Sequence, residues 1–302
     1  MTLAVTGGTG FVGQAVLDAA SRQRIDVSAL TRRPQESRTH VAWVRGDLST
    51  QDALVEMASG ARAIIHIAGV VNAPDSAGFH SGNVAGTEAV TAAARDAGVK
   101  RFIHVSSLAA REPGLSDYGH SKRLAEEVVQ TSGLDWTIVR PPAVYGPRDT
   151  EILELFKAAR WGIVPMPPAG RASMIHVDDL ARLLLTLVDA GSDSHARVFE
   201  PDDGRDGGWT HAELAKAIGQ AMGKRVWSPN VPRSVLLGAA RLDRLFRRKS
   251  AKLTPDRARY MAHPDWISAV ERRVPAGMWQ AEIETRDGLA ETARWYAQHG
   301  WL

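Results

Sequence analysis

Three glycines spaced three residues apart lie near the N-terminus, between a short apolar run and a stretch with helical periodicity. They are Gly7, Gly10 and Gly13. In a turn from strand to helix, glycines at this spacing let the backbone approach a pyrophosphate and direct helix N–H groups toward it. A glycine-rich turn without a ligand is the alternative. The strand before the turn and the helix after it, which begins with Phe11 and Val12, favour dinucleotide binding.

Two arginines follow the second predicted strand, about 20 residues beyond the last glycine. Arg32 and Arg33 lie where a site for NAD has an acidic residue that binds the ribose hydroxyl. Guanidinium groups instead favour the 2′-phosphate of NADP(H), through charge-assisted hydrogen bonds. We therefore expect NADP(H) as the preferred cofactor, with NAD(H) as the other candidate. A solvated arginine pair without a binding role is the alternative.

A tyrosine and a lysine four residues apart begin a strongly helical stretch. Tyr118 and Lys122 therefore lie on one helix face. A neighbouring ammonium lowers the pKa of a phenol toward neutrality, which suits a general acid or base. Ser106 and Ser107 precede them at the carboxyl end of a predicted strand, where open α/β sheets bind ligands. Ser107 would hold a substrate carbonyl oxygen beside Tyr118; a capping serine and a surface pair are the alternatives.

Short apolar strands alternate with helices through the first two thirds of the chain. The predicted strands cover residues 3–6, 27–30, 41–44, 63–68, 101–106 and 136–140. This order predicts an α/β fold with a doubly wound parallel sheet (Rossmann) and a small, mainly helical C-terminal substrate lobe. We expect a dinucleotide-binding domain over 1–165, with contributions from about 172–200, and a substrate-binding lobe over 200–302.

Composition excludes several other classes of protein. Hydrophobic residues make up 44% and charged residues 24% of the 302 residues, which excludes a disordered or coiled-coil chain. With no cysteine, the chain has no disulfide and no thiolate chemistry, and we expect a cytoplasmic protein without a cleaved signal or a membrane span. The net charge of +3 comes from residues 233–253, which hold seven arginines or lysines and one aspartate. No nucleic-acid-binding signature accompanies this charge.

Eight short motifs follow one another along residues 1 to about 200. They are 6–13, 46–48, 66–69, 83–87, 105–107, Tyr118 with Lys122, 140–147 and 175–179. In these motifs the chain resembles the extended short-chain dehydrogenase/reductase family, also called the NAD-dependent epimerase/dehydratase family. The resemblance implies that Asp47 and Leu48 flank the adenine of the cofactor, and that Ala68 and Gly69 line it.

The resemblance also implies roles around the nicotinamide. Tyr118 and Lys122 would contact the cofactor, Lys122 through the nicotinamide ribose, and the segment from Pro141 to Val144 would lie near the nicotinamide. Asn83 would lie beside the cofactor cleft, or would hydrogen-bond backbone between strand and helix. Alignment to the second position of the family's serine pair favours Ser107 over Ser106 as the active-site hydroxyl.

Three histidines lie in or beside predicted apolar strands. We expect His66, His104 and His176 to be buried and hydrogen-bonded, because their spacing does not form a metal site. We therefore predict no metal.

The later part of the chain suggests an apolar substrate. Only eleven positions separate Ser107 from Tyr118, whereas nucleotide-sugar members of the family usually carry a longer insertion, so we expect a more open cleft. Six of the nine tryptophans lie beyond residue 200 and suit an apolar pocket or ordinary packing. Residues 252–266 are loosely similar to bacterial members that act on 3-oxo or 3-hydroxy lipids, including ceramide reductases and 3β-hydroxysteroid dehydrogenase-like proteins.

A basic amphipathic helix is predicted over 235–249. Val235, Ala239, Leu242, Leu245 and Phe246 share one side, and the other side carries four arginines, Arg241, Arg244, Arg247 and Arg248. We favour a lobe helix that packs its apolar side and solvates its arginines. Peripheral contact of 233–253 with the inner membrane surface is the alternative.

Taken together, these features predict an NADP(H)-dependent oxidoreductase. It would interconvert a secondary alcohol and a ketone on an apolar or lipid-like substrate, such as a 3-oxo-sphingolipid or a sterol. A nucleotide-sugar epimerase or dehydratase is one alternative, with Arg148, Arg171 and Arg182 as candidates for a diphosphate clamp. A non-catalytic NADP(H)-binding accessory subunit is another, although it gains little from Tyr118 and Lys122. The resemblance to this family also implies that the protein forms a homodimer.

Overall fold

The computed structural model describes residues 2–247 and 253–302. The chain divides into two compact units. The first unit comprises Met1–Pro141, Leu180–Phe199 and Ala276–Trp279, and the second comprises Pro142–Asp179, Glu200–Pro275 and Gln280–Leu302. Residues 142–165 thus belong to the second compact unit. The boundaries at 165 and 200 that we expect from the sequence refer to domains and stay a prediction.

The first unit is built on a parallel sheet. Its strands are β1 (Thr2–Thr6), β2 (Val27–Thr31), β3 (Val41–Arg45), β4 (Ala61–His66), β5 (Arg101–Val105), β6 (Asp135–Val139) and β10 (Arg197–Phe199). The spatial order is β10-β6-β5-β4-β1-β2-β3, and each neighbouring pair runs parallel. The predicted doubly wound sheet is confirmed. The strand order reverses between β1 and β4, and such switch points are where open sheets bind ligands.

Helices connect these strands. They are α1 (Phe11–Arg22), α2 (Gln51–Ala58), α3 (Ser76–Phe79), a π-helical turn (His80–Ala85), α4 (Gly86–Asp96), a 3-10 turn (Leu108–Arg111) and α5 (Asp117–Gln130). Apolar residues of α2, α4 and the sheet form one buried cluster that includes Leu54, Val90 and Phe102. This cluster holds the sheet rigid below the carboxyl ends of its strands.

The second unit contains short strands and longer helices. Its strands are β7 (Ala143–Tyr145), β8 (Arg171–Ala172), β9 (Met174–His176), β11 (Trp209–Thr210) and β12 (Asp265–Trp266). Its helices are α6 (Leu153–Ala159), α8 (His211–Ala221), α9 (Arg233–Arg247), α10 (Pro255–Met261) and α11 (Thr285–Gln298), with a 3-10 turn at Val270–Arg272. Helix α7 (Val177–Thr186) begins in the second unit and ends in the first. No helix within 2–247 or 253–302 combines the length and apolarity needed to cross a bilayer.

Several of the late tryptophans serve ordinary packing. Trp209 lies in the buried cluster of the second unit, and Trp295 and Trp301 pack against that cluster. Trp266 packs on Tyr260, with ring centroids 4.7 Å apart. Of the two uses we expected for these residues, core packing therefore accounts for these four.

Helix α9 does not pack the face that we expected. The predicted packed side includes Val235, Leu242 and Phe246, which are exposed, whereas Leu236 and Ala240 are buried. Leu236 and Ala240 lie outside the predicted packed side and contact helix α10. The favoured interpretation, a helix that packs its Val235–Phe246 side, is therefore wrong. The predicted end of the helix, Arg248 and Lys249, lies outside the described residues.

The sheet core yields a prediction about stability. Phe102 is fully buried on β5, so truncation by Phe102→Ala leaves a cavity beneath the strand that leads to Ser106 and Ser107. We expect a loss of about 3–5 kcal/mol in the free energy of unfolding, measured by urea denaturation. The control Val71→Ala removes an exposed side chain and should change it by less than about 0.5 kcal/mol. Similar losses for both variants would contradict this description of the core.

Candidate functional site

The glycine turn after β1 is closely packed against the chain around it. Gly7 has a φ of +75°, and the Gly10 N–H donates to the Gly7 carbonyl oxygen at 3.0 Å, which closes a tight turn. A Cβ at Gly13 would lie 2.0 Å from the Gly7 carbonyl oxygen, and one at Gly7 would lie 2.7 Å from the Ala68 nitrogen. Gly7 and Gly13 therefore have no room for a side chain, whereas a Cβ at Gly10 would make only an ordinary van der Waals contact.

Helix α1 begins directly after this turn. Its N-cap is Gly10, and among the described residues no side chain caps its first turn. Phe11 and Val12, the first two helical residues, are partly exposed there. Uncapped N–H groups at the positive end of a helix attract an anionic group. The turn thus fits a pyrophosphate, as the glycine spacing predicts.

The residues predicted to bind the adenosine end follow β2 and β3. Arg32 and Arg33 are exposed after β2, and Asp47 is exposed after β3. The Asp47 carboxylate accepts hydrogen bonds from the Ser49 hydroxyl at 2.6 Å and the Ser49 N–H at 2.9 Å. These bonds, with a smaller effect of the Arg32 guanidinium, lower the pKa of Asp47. The acid and the arginine are therefore close enough to interact electrostatically.

Two further predicted residues come after β4. The Ala68 N–H donates to the Thr6 hydroxyl at 3.2 Å, which joins the ends of β1 and β4. A Cβ on Gly69 would lie 2.9 Å from Asn83 Oδ1 and 3.8 Å from Lys122 Nζ. Gly69 therefore lies close to Asn83 and Lys122, and a Cβ at this position would require the Asn83 side chain to shift.

Asn83 cross-links this loop to α5. Its Oδ1 accepts from the Val70 N–H at 2.7 Å, and its Nδ2 donates to the Val70 carbonyl oxygen at 3.0 Å and to the Ser121 hydroxyl at 2.9 Å. The Ser121 hydroxyl in turn donates to the Tyr118 carbonyl oxygen at 2.8 Å. Of the two roles open for Asn83, the structure thus displays the backbone-bonding one, and this chain of bonds fixes the start of α5.

The structure brings Ser107 and Tyr118 together. Ser107 follows β5 and caps the 3-10 turn, where its hydroxyl accepts from the Ala109 N–H at 3.2 Å. Tyr118 lies in the first turn of α5 and is half-buried, and its phenol hydrogen-bonds with the Ser107 hydroxyl. The Phe79 ring packs beside the phenol, with centroids 6.0 Å apart. The other serine of the pair, Ser106, points elsewhere and bonds Glu126.

Burial has the largest effect on the pKa of Tyr118. Loss of solvation raises this pKa above its ordinary value, and the hydrogen bond with Ser107 opposes the rise. We expected the Lys122 ammonium to lower it. The net shift is upward instead, because desolvation of the phenolate outweighs the favourable interactions that the chain offers it. In the folded chain the phenol is thus held in its protonated form.

Lys122 is buried one helical turn beyond Tyr118. Its Nζ donates to the Val105 carbonyl oxygen at 2.8 Å, which holds the ammonium at the carboxyl end of β5. Burial lowers the pKa of Lys122 to about 8, and the negative charge of Glu126 opposes this shift. The ammonium therefore titrates within the range in which enzymes work.

Sequence reasoning missed the buried ion pair behind Lys122. Glu126 is fully buried and accepts from Arg140 Nε at 2.8 Å, from Arg140 Nη2 at 2.6 Å and from the Ser106 hydroxyl at 2.5 Å. Arg140 follows β6, so the pair joins α5 to two adjacent strands. The spacing of four along Tyr118, Lys122 and Glu126 indicates that Glu126 lies near Lys122, but it does not indicate Arg140 as its partner.

The buried histidines differ from one another. His66 lies 2.6 Å from the Thr6 hydroxyl through Nδ1 and 3.1 Å from the Thr87 hydroxyl through Nε2. His104 stacks on His66 with ring centroids 5.3 Å apart, and its ring nitrogens have no hydrogen-bond partner in the described part of the chain. Burial lowers the pKa of His66 to about 3 and holds that of His104 well below its usual range. The expectation of a hydrogen-bonded ring is confirmed for His66 and wrong for His104.

His176 is buried in the second unit. Its Nδ1 accepts from the Asp178 N–H at 3.2 Å, whereas Nε2 has no partner in the part of the chain that is described. Burial lowers its pKa. Nearby Asp179 accepts from the Glu282 and Ile283 N–H groups at 3.0–3.1 Å, so this motif anchors the chain before α11.

The remaining predicted residues lie on the segment after β6. Pro141 is buried at the end of the first unit, where its carbonyl oxygen accepts from the Leu108 N–H at 3.1 Å. Val144 lies in the second unit on β7, paired with Ile175 of β9. The first unit therefore gathers the glycine turn, Ala68, Gly69, Ser107, Tyr118 and Lys122 at the carboxyl edge of one sheet.

Removing the Glu126 charge tests the buried pair. Glu126→Gln keeps the shape but removes the carboxylate that accepts two hydrogen bonds from the buried Arg140 guanidinium, so we expect a loss of about 3–5 kcal/mol in the free energy of unfolding in urea. The matched control is Glu127→Gln on the same helix, whose exposed pair with Arg123 should contribute about 1 kcal/mol or less. An equal effect of the two substitutions would show that the buried pair is not what fixes α5.

Comparisons with known proteins place the chain in a family. The sequence profile described as the NAD dependent epimerase/dehydratase family matches residues 3–200. A ceramide reductase of Caulobacter vibrioides is 37% identical, over 99% of this chain and 96% of its own length. A 4-hydroxy-2-methyl-3-oxo-4-farnesyl-3,4-dihydroquinoline-1-oxide ketoreductase of Stigmatella aurantiaca is 32% identical, over 62% of this chain and 64% of its own.

Solved structures share the fold. The structure of MoeE5 in complex with UDP-glucose and NAD superposes with a TM-score of 0.76 at 21% identity, and 99% of each chain is covered. At this identity the likeness concerns the fold alone. The profile match covers most of the chain, and the full-length relative extends the similarity to the rest. The chain therefore belongs to the NAD-dependent epimerase/dehydratase family.

Proposed function

We propose that this protein is an NADP(H)-dependent reductase that interconverts a ketone and a secondary alcohol on an apolar, lipid-like substrate. A 3-oxo-sphingolipid is the first candidate and a sterol the second. The observation that carries the proposal is the Ser107–Tyr118 hydrogen bond, one helical turn from the buried Lys122, at the carboxyl edge of the sheet. A relative named ceramide reductase, similar over almost the whole chain, supports the substrate class.

The nicotinamide cofactor fits the residues present. The turn has no space for a Cβ at Gly7 or Gly13, and the uncapped start of α1 suits the pyrophosphate. When bound, the reduced nicotinamide supplies the hydride. Exposed Arg32 and Arg33 after β2 support a preference for NADP(H), because a 2′-phosphate there would meet two cations.

In the proposed reaction Tyr118 moves the proton. The phenol has a raised pKa, so at neutral pH it carries the proton that the carbonyl oxygen needs as hydride reaches the carbonyl carbon. The phenolate that results is stabilised by the Ser107 hydroxyl, and the Lys122 ammonium one helical turn away places a positive charge nearby. Ser107 also holds the substrate oxygen. In the oxidative direction the same proton returns to Tyr118.

A nucleotide-sugar substrate has weaker support. Two of the arginines considered for a diphosphate clamp already have partners within their own units: Arg171 donates to the Gly207 carbonyl oxygen at 2.5 Å, and Arg182 lies 5.3 Å from the Trp279 ring centroid. A UDP-glucose 4-epimerase of Vibrio cholerae is 25% identical over 76% of this chain, so that activity stays the alternative. A non-catalytic accessory role is opposed by the assembled Ser107, Tyr118 and Lys122.

Other expectations stay predictions. They are a homodimer, a cytoplasmic location and contact of residues 233–253 with a membrane.

Substitution of the phenol tests the proton donor. Tyr118→Phe keeps the ring beside Phe79 and removes the hydroxyl that Ser107 bonds. We expect reduction of a long-chain 3-oxo lipid with NADPH to fall by about 10²–10⁴-fold in kcat/KM, while NADPH affinity changes little. His120→Phe, in the same helix turn but exposed, is the control and should retain turnover. Unchanged turnover in Tyr118→Phe would refute the assignment.

The Lys122 pKa of about 8 predicts a pH dependence of cofactor binding. The ammonium is present below that pH and lost above it, so NADPH affinity should weaken as the pH rises through about 8, because the proposed ribose contact loses its charged donor. Fluorescence titration measures this directly. Lys122→Arg keeps its charge, so its affinity should stay constant over the same range. Parallel pH profiles would contradict this role of Lys122.

The arginine pair should set cofactor preference. Replacing Arg32 and Arg33 with alanine removes both candidate cations from the 2′-phosphate. We expect NADPH affinity to fall about tenfold or more while NADH affinity is unchanged. The control Arg24→Ala removes another exposed arginine outside this loop and should leave both affinities as in the wild type. An unchanged ratio of NADPH to NADH affinity in the double variant would remove the phosphate-binding role.

A further inference from the structure

Helix α9 exposes large apolar side chains along one side. The exposed fractions are 56% for Val235, 57% for Leu242, 70% for Leu245 and 80% for Phe246. The period of 3.6 residues places these four positions on one side of the helix. Apolar side chains of this size in a row on one helix are more than the scattered exposure of an ordinary surface.

A different side of the same helix holds it in the fold. Leu236 and Ala240 are buried and pack with Ala258 of α10, in a cluster that Leu237 and Met261 extend. The exposed side is therefore not the side through which α9 packs on the second unit. It is a second apolar side that the second unit leaves uncovered.

Positive charge is concentrated in the same segment. Arg233 and Arg241 are exposed on α9, and residues 233–253 hold seven arginines or lysines and one aspartate. The aspartate, Asp243, already accepts from the Leu253 N–H at 2.9 Å within the segment. The rest of the chain is slightly acidic, so the cationic character belongs to this segment alone.

We infer that the Val235–Phe246 side of α9 docks on the surface of an anionic lipid bilayer. Apolar side chains of an interfacial helix insert at the boundary between headgroups and acyl chains, and its cations bind anionic headgroups. A second copy of the chain fits less well, because a two-fold contact would place two cationic segments against each other. This inference goes beyond the proposed reaction and does not depend on it.

Vesicle flotation of the full-length protein tests the inference. The wild type should float with phosphatidylcholine vesicles that contain phosphatidylglycerol, float weakly with phosphatidylcholine alone, and be released as salt is added. Val235→Ser, Leu242→Ser and Phe246→Ser together should lower the partition coefficient at least about tenfold. Arg233→Ser and Arg241→Ser should each lower it about fivefold.

The control is Val270→Ser, which removes a side chain 65% exposed in the same unit and should leave flotation unchanged. NADPH affinity and the thermal unfolding midpoint of each variant should match the wild type, so that lost flotation is not lost folding. A wild type that stays unbound to anionic vesicles overturns the inference, as does a triple variant that floats equally well. The inference is also wrong if the wild type does not bind vesicles and the triple substitution instead dissociates a dimer or abolishes binding of an acidic protein. In that case α9 is a protein–protein interface.

Discussion

The candidate site depends on keeping one ammonium charged inside the protein. Lys122 is buried, and taking an ammonium out of water is costly unless other groups replace the lost hydration. The Val105 carbonyl oxygen and the Glu126 charge do so in part, and the pKa of Lys122 still falls to about 8. Glu126 also accepts two hydrogen bonds from Arg140, so this one buried carboxylate interacts with two neighbouring cations.

The rest of the first unit can be understood as support for that arrangement. Helix α5 must present Tyr118 and Lys122 together, and three sets of contacts fix it: Ser121 with Asn83, Lys122 with β5, and Glu126 with the residue that follows β6. The partners of Lys122 and Glu126 lie at or just after the carboxyl ends of β5 and β6, and Asn83 lies in the π-helical turn before α4. The parallel sheet therefore positions the site, because its register decides which loop ends meet.

Much of this could be predicted from the sequence, for physical reasons that differ between residues. Strands β1 to β6 are continuous apolar runs, and Gly7 and Gly13 stand where any Cβ would collide with backbone, so local pattern was enough. The Glu126–Arg140 pair was missed because its partners are separated along the chain and meet only through the sheet. The upward pKa shift of Tyr118 depends on burial, as does the lack of hydrogen-bond partners for the His104 ring nitrogens among the described residues, and periodicity alone does not measure burial. On α9 periodicity identifies the apolar side, but it does not indicate that this side is exposed and that Leu236 and Ala240 are the buried contacts.

The central claim is that hydride passes from the cofactor to a ketone carbon held beside Tyr118. Incubation with NADPH deuterated at the transferred C4 position and a long-chain 3-oxo lipid, followed by mass spectrometry, tests it most directly. The account predicts a secondary alcohol that carries one deuterium on its carbinol carbon. An unlabelled or unreduced lipid, together with epimerisation of a nucleotide sugar by the same preparation, would contradict it.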